Sequence, residues 1–73
     1  MKTYITFGQD HVHEINNKIF DKNCVAVINS SSVKEGREKA FEIFGTKFCF
    51  EYPEDFFDSD ILEFFSRGLI EVE

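Results

Sequence analysis

The sequence has no segment typical of a membrane or secreted protein. It contains no long apolar run and no lipidation motif, and Met1 leads into a strand-like pattern rather than a signal peptide. We therefore expect a cytoplasmic protein. The sequence also has no phosphate-binding motif, no nucleophile motif and no internal repeat. No cofactor is predicted, and a non-enzymatic function is favoured over an enzymatic one.

Cysteine is scarce, and its spacing does not indicate a metal site. Cys24 and Cys49 do not form a C-x-x-C pair, and each lies in an apolar, strand-like run. We expect both to be reduced thiols in the hydrophobic core, with a disulfide or a metal-ligand role as the alternatives.

Basic residues are absent from residues 51–66, and this makes the charge distribution strongly uneven. Residues 1–50 carry seven Lys or Arg and six Asp or Glu, whereas residues 51–73 carry Arg67 alone against eight acids. A negative pole of this kind repels nucleic acid and attracts basic protein surfaces. We therefore expect no direct binding to nucleic acid.

The length of 73 residues allows a single domain, residues 1–73. A chain this short buries only about 60% of its unfolded surface, so it needs help to be stable. The composition includes ten Phe and two Tyr, which predicts that large aromatic side chains supply that help.

Alternation and turn residues predict strands in the first half of the chain. Apolar Ile5 and Phe7 alternate with polar neighbours, as in a half-buried strand. Asn16-Asn17 is typical of a tight hairpin turn, because Asn tolerates positive φ. The run Cys24–Asn29 is apolar and β-branched, which favours a central strand buried on both faces.

The clearest helix follows this strand. Ser32 and Glu35 have the spacing of a capping box, apolar residues then recur at helical spacing to Phe44, and Gly45 stands at the C-cap. Gly36 weakens the first turns of this helix, and a close approach of the helix to the sheet would explain it.

The last third of the chain completes an α+β fold. Residues 47–52 predict a strand with Phe48, Phe50 and Tyr52 on one face, and a short second helix begins at Asp58 or Ser59 and ends near Ser66. A final strand covers residues 69–72. We expect a mostly antiparallel sheet of about four strands, with the main helix on one face and a short second helix.

Residues 51–65, which we call the acidic segment, combine six acids with four phenylalanines. One interpretation is a surface helix with acidic caps, docked through Phe57, Ile61, Phe64 and Phe65. The other is a partner-binding surface in which acids surround exposed apolar anchors. The candidate partner-binding residues are Asp55, Phe56, Asp58, Asp60, Leu62 and Glu63.

His11 and His13 form the clearest metal-like pattern. On a strand, both imidazoles would point to the same side and could share one ion if a third ligand were present. The candidates for that third ligand are Asp10, Glu14, Cys24 and Cys49, and nothing in the sequence selects one of them. Surface or hydrogen-bonded histidines are the alternative.

Several stretches together resemble a class of small, uncharacterised accessory proteins of bacteriophages and prophages of Gram-positive bacteria. They are "TYITFGQDHVHEINNK", "DKNCVAVI", "GREKAFEIFGTKFCFEY" and "RGLIEV". The resemblance implies a bacterial cytoplasm and a protein that binds and blocks a host protein. Nucleic-acid-binding defence machinery is among the targets implied, as for anti-CRISPR proteins that mimic nucleic acid.

Three functional hypotheses follow. The first is a module whose acidic segment binds a basic surface of a host protein. The second is a small-ligand or metal-binding protein that uses His11 and His13. The third is a homodimeric structural accessory protein, with the surplus aromatic side chains forming the dimer interface.

Overall fold

The computed structural model describes residues 1–72 and confirms the predicted α+β fold. The strands are β1 (Lys2–Thr6), β2 (His13–Ile15), β3 (Lys18–Phe20), β4 (Cys24–Asn29), β5 (Phe50–Pro53) and β6 (Gly68–Glu71). The helix α1 spans Val33–Phe44, and two 3₁₀-helices span Glu54–Phe56 and Ser59–Phe64. No helix within residues 1–72 is both long enough and apolar enough to cross a membrane.

The main sheet has four strands in the order β5-β1-β4-β6. β1 pairs antiparallel with β4 and β5, whereas β4 pairs parallel with β6. The sheet is therefore mostly antiparallel, as predicted. β4 has a neighbouring strand on each side, and its first five residues are all buried. The apolar run at Cys24–Asn29 is the central strand that its composition indicated.

Strands β2 and β3 form a separate hairpin. Its turn residues have positive φ, 53° at Asn16 and 65° at Asn17, which is the geometry of a type I′ turn. The Asn16 side chain also donates a hydrogen bond of 3.2 Å to the Val72 carbonyl. The Arg67 guanidinium donates one of 2.7 Å to the Ile19 carbonyl. Both bonds hold the hairpin against the C-terminal end of the chain.

Helix α1 begins and ends where the sequence predicted. The Glu35 amide donates to Ser32 Oγ at 3.1 Å, but the Glu35 carboxylate returns to the amide of Ser31 rather than that of Ser32. At the other end, the Gly45 amide donates to the Phe41 carbonyl at 2.9 Å. Gly45 has a φ of 64°, which Gly adopts without the cost of a β-carbon.

The hydrophobic core lies between α1 and one face of the sheet. The Phe44 ring meets Phe7 and Phe20 edge-on, with ring centroids 5.0 Å and 5.7 Å apart. In the first turn of α1, a β-carbon on Gly36 would collide with Thr3 Oγ1. The glycine thus allows the helix to approach β1 closely, as the sequence suggested.

The strand predicted at residues 47–52 begins later than expected. β5 starts at Phe50, so the alternation of faces does not extend back to Phe48 and Cys49. Phe48 packs against the core on the α1 side, with its ring 5.4 Å from that of Phe41, whereas Phe50 is 58% exposed. Cys49 is exposed and not a core residue, while Cys24 is buried as predicted.

The predicted second helix is present as the 3₁₀-helix Ser59–Phe64, with Asp58 as its N-cap, and it ends two residues before Ser66. Its three residues per turn do not produce the predicted docking stripe. A further 3₁₀-helix, Glu54–Phe56, precedes it. Phe57 lies between the two helices and points onto the sheet. Phe64, which was expected to dock inward, is 75% exposed.

Candidate partner-binding site

The acidic segment begins in β5, and its later part, residues 54–65, crosses the face of the sheet opposite α1. Strand register places Tyr4, Val27 and Tyr52 on that face, because they are directly paired across β1, β4 and β5. Val25 and Val27 are nearly inaccessible to solvent. The acidic segment covers this second face and completes a three-layer arrangement of helix, sheet and 3₁₀-helices.

Phe57 makes the aromatic contacts that hold the acidic segment on the sheet. Its ring stacks on the Tyr4 ring with centroids 4.0 Å apart and 13° between the planes. It also meets Tyr52 edge-on at 6.1 Å. Ahead of Phe57, the Lys2 amide donates to Glu54 Oε1 at 3.0 Å. The position of the segment is therefore fixed by an aromatic contact and by a hydrogen bond from a backbone amide to a carboxylate.

The predicted partner-binding residues are predominantly exposed. Phe56 is 78% exposed, and Leu62 is half-buried. The four predicted acids are all exposed, namely Asp55, Asp58, Asp60 and Glu63. Asp55 and Phe56 belong to the first 3₁₀-helix, while Asp60, Leu62 and Glu63 belong to the second. The structure thus presents the charged members of the predicted set to solvent, together with one of its two apolar members.

The acids of the segment divide into structural and unpaired groups. Asp58 caps the second 3₁₀-helix, because its side chain accepts a hydrogen bond of 2.9 Å from the Asp60 amide. Glu51 forms an ion pair of 3.7 Å with Arg37. Within residues 1–72, the carboxylates of Asp55, Asp60 and Glu63 form no hydrogen bond or ion pair. These three carboxylates therefore contribute no hydrogen bond or ion pair to the described part of the fold.

A groove lies beside the second 3₁₀-helix, and sequence reasoning did not find it. Its volume is about 390 Å³. The lining residues are Thr6, Gly8, Gln9, Lys22, Cys49, Phe50, Tyr52, Ile61, Phe64 and Phe65. Phe50 and Phe64 line it and remain largely exposed. The high density of phenylalanine around residues 48–65 was the available signal, but it could not show which rings face outward.

The histidines do not come together as a metal site. His13 Nε2 donates to the Lys47 carbonyl at 2.7 Å, and its ring packs 4.9 Å from the Phe44 ring. A carbonyl only accepts, so this bond requires the proton on Nε2. Across residues 1–72, no group of three or more His, Cys, Asp or Glu side chains is arranged to hold a metal ion.

The two thiols have different environments. Desolvation raises the pKa of the Cys24 thiol above its usual value, and this side chain is fully buried. Its Sγ donates weakly to the Asp21 carbonyl at 3.6 Å. Cys49 instead lies in the wall of the groove and is exposed. The groove therefore contains a solvent-exposed thiol, whereas the core thiol is shielded from solvent.

Comparison with family models, with curated proteins and with solved structures gives no match to this chain.

Proposed function

We propose that this protein is a binding module whose acidic segment docks on a basic surface of a partner protein. The observation that carries the proposal is Phe56, which is 78% exposed in a segment held on the sheet by the Phe57–Tyr4 stack. An exposed aromatic ring surrounded by charge is the usual composition of a binding hot spot and its rim.

Several side chains of the acidic segment are exposed and form no hydrogen bond or ion pair that stabilises the fold within residues 1–72. Covering a fully exposed phenylalanine contributes on the order of 1.5–3 kcal/mol. The unpaired carboxylates of Asp55, Asp60 and Glu63 repel one another in the isolated protein, and a basic partner would relieve that repulsion. The capping requirement is already met by Asp58, so capping does not account for these other acids.

Self-association through the same segment is disfavoured by charge. Residues 51–73 carry eight acids and one basic residue, so two copies meeting through this surface would juxtapose like charges. The homodimer hypothesis predicts twice the monomer mass in light scattering, and the docking proposal predicts a monomer.

The finer proposal is that the basic partner surface normally holds nucleic acid. The exposed carboxylates along the segment would then stand in for phosphates, and the complex would weaken as salt rises. A phage-type protein that blocks host defence machinery would work in this way. What supports this reading is the charge pattern together with the resemblance described above.

The test compares two charge-reversed variants of equal net charge. One carries Asp55→Lys, Asp60→Lys and Glu63→Lys, and none of these side chains forms an ion pair or side-chain hydrogen bond in residues 1–72. The matched control reverses three exposed acids elsewhere, Glu14, Glu38 and Glu42. Each immobilised protein is exposed to a bacterial lysate, and the captured proteins are identified by mass spectrometry.

We expect the native protein and the control to capture the same basic protein, and the segment variant to lose it. The captured protein should elute with salt and with duplex DNA added as a competitor. If the segment variant captures the same protein as the native chain, docking through the acidic segment is wrong. If DNA does not compete, the nucleic-acid mimicry alone is wrong.

A further inference from the structure

We infer that the groove beside the second 3₁₀-helix receives an apolar side chain from the partner, and that the partner segment is a basic amphipathic peptide. This inference rests on the proposed function and adds the chemistry of the docking segment. This partner peptide would carry an apolar residue of the size of Leu or Phe, with Lys or Arg on both sides of it.

The size and lining of the groove carry the apolar part of the inference. A volume of about 390 Å³ lies toward the lower end of the roughly 300–1,000 Å³ found for sites that hold organic groups. Its walls include Tyr52, Ile61 and Phe65, which are half-buried, and Phe50 and Phe64, which are mostly exposed. An apolar side chain entering the groove would meet aromatic surface from β5 and from the second 3₁₀-helix.

The acidic residues beside the groove are the reason to infer basic residues in the partner peptide. Asp60 directly precedes Ile61, and Glu63 directly precedes Phe64, so each acid is the sequence neighbour of a residue that lines the groove. Both acids are exposed, and because adjacent α-carbons are about 3.8 Å apart, their backbone lies at the edge of the groove, which we call the rim. Lys22 is the one cation among the lining residues. A peptide with flanking basic residues would therefore complement the rim on the side of the acidic segment.

The exposed rings favour a peptide over a small molecule. Phe50 and Phe64 are 58% and 75% exposed, and a small molecule inside the groove would leave much of both rings in water. A peptide chain lying across the groove would cover the rings and the cavity together. Contiguous apolar surface with a polar rim is typical of protein-interaction sites.

The probe is a synthetic peptide of about 14 residues, roughly four helical turns, with Leu on one face and Lys on the other. One control peptide replaces every Leu with Ser and keeps the charge. A second replaces every Lys with Glu. Binding is measured by fluorescence anisotropy, and occupancy of the groove by the rate at which iodoacetamide alkylates Cys49. Cys24 is buried and does not confuse this readout.

The variants separate the groove from the rim. Phe50→Ala with Phe64→Ala removes two exposed walls, and Cys49→Phe fills the groove from an exposed position. The matched control is Val33→Ala with Phe41→Ala, because both side chains are exposed apolar groups on α1. The rim is tested with the double reversal Asp60→Lys with Glu63→Lys.

We expect the Lys/Leu peptide to bind, to slow alkylation of Cys49, and to lose roughly tenfold in affinity in either groove variant. The α1 control should bind like the native chain. Equal binding of the Lys/Leu and Lys/Ser peptides without protection of Cys49 would overturn the groove assignment. If in that case the rim reversal still weakened binding of the Lys/Leu and Lys/Ser peptides, the proposed function would stand without the groove assignment.

Three other results are decisive in different ways. Binding of the Glu/Leu peptide as tightly as the Lys/Leu peptide would overturn the basic character of the partner. Failure of the Lys/Leu peptide to bind would overturn the inference as a whole. If the rim reversal left peptide binding unchanged while the groove variants abolished it, the groove would bind apolar peptides and the proposed role of the acids would be wrong.

Discussion

The Tyr4 and Phe57 rings are stacked almost parallel, with centroids 4.0 Å apart. Tyr4 lies in the middle of β1, and Phe57 lies between the two 3₁₀-helices. This contact, together with the Lys2–Glu54 hydrogen bond, joins the second face of the sheet to the acidic segment. The site therefore depends on a residue more than fifty positions away in the chain.

The first prediction concerns that contact. Phe57→Ala should lower the free energy of unfolding by about 2 kcal/mol, less than the 3–5 kcal/mol typical of a fully buried ring, because Phe57 is half-buried. Urea unfolding measures the change. The control is the neighbouring Phe56→Ala, which should cost less than about 0.5 kcal/mol because Phe56 is exposed. Equal losses in both variants would show that the stack does not hold the segment.

The second prediction concerns the close approach of α1 to β1. Gly36→Ala should destabilise the protein by about 1–3 kcal/mol through overpacking, although alanine is the better helix former. The added β-carbon would collide with Thr3 Oγ1. That hydroxyl is buried and has no hydrogen-bond partner in residues 1–72.

Combining Gly36→Ala with Thr3→Ala tests the cause. Removing the hydroxyl should recover much of the loss, so the double-mutant cycle should show a favourable coupling between the two positions. Independent, additive effects on the urea midpoint would indicate that the cost comes from somewhere other than this contact.

The third prediction concerns Glu35 and acid stability. Hydrogen bonds from the Ser31 amide and then the Ser31 hydroxyl lower the pKa of the Glu35 carboxyl below its usual value of 4.5, with a smaller contribution from Lys39. Because the pKa in the folded state is the lower one, the stabilisation is fully present above pH 4.5. It disappears as pH falls through the lowered pKa.

The test is the free energy of unfolding of Glu35→Gln as a function of pH. The variant should be less stable than the native protein at neutral pH, and the difference should shrink below pH 4.5. Glu38→Gln is the control, since the Glu38 carboxylate is exposed and makes no hydrogen bond or ion pair in residues 1–72. A constant difference down to the lowest pH would contradict the assignment.

The fourth prediction concerns the two thiols. Under native conditions, Cys49 should react readily with a thiol reagent, whereas Cys24 should be protected by burial and by its raised pKa. Both should react in denaturant. Mass spectrometry after a timed alkylation distinguishes them, with Cys49→Ser as the control that leaves only Cys24. Rapid native labelling of Cys24 would show that the core opens easily.

Much of this protein was determined by short stretches of the sequence alone. The α1 boundaries follow from Ser32, Glu35 and Gly45, and the hairpin turn follows from Asn16-Asn17, because capping and positive φ are local properties of neighbouring residues. The central strand followed from a continuous apolar run.

Only the tertiary structure decided which phenylalanines face water. Phe48 packs on the α1 side of the sheet, Phe57 stacks on the other, and Phe64 is exposed beside a groove. The parallel pairing of β6 with β4 is likewise non-local. Composition gives each of these rings the same tendency to be buried, but the surface available to receive them depends on distant strands. The partition between core and candidate binding site therefore appears only when those strands are assembled.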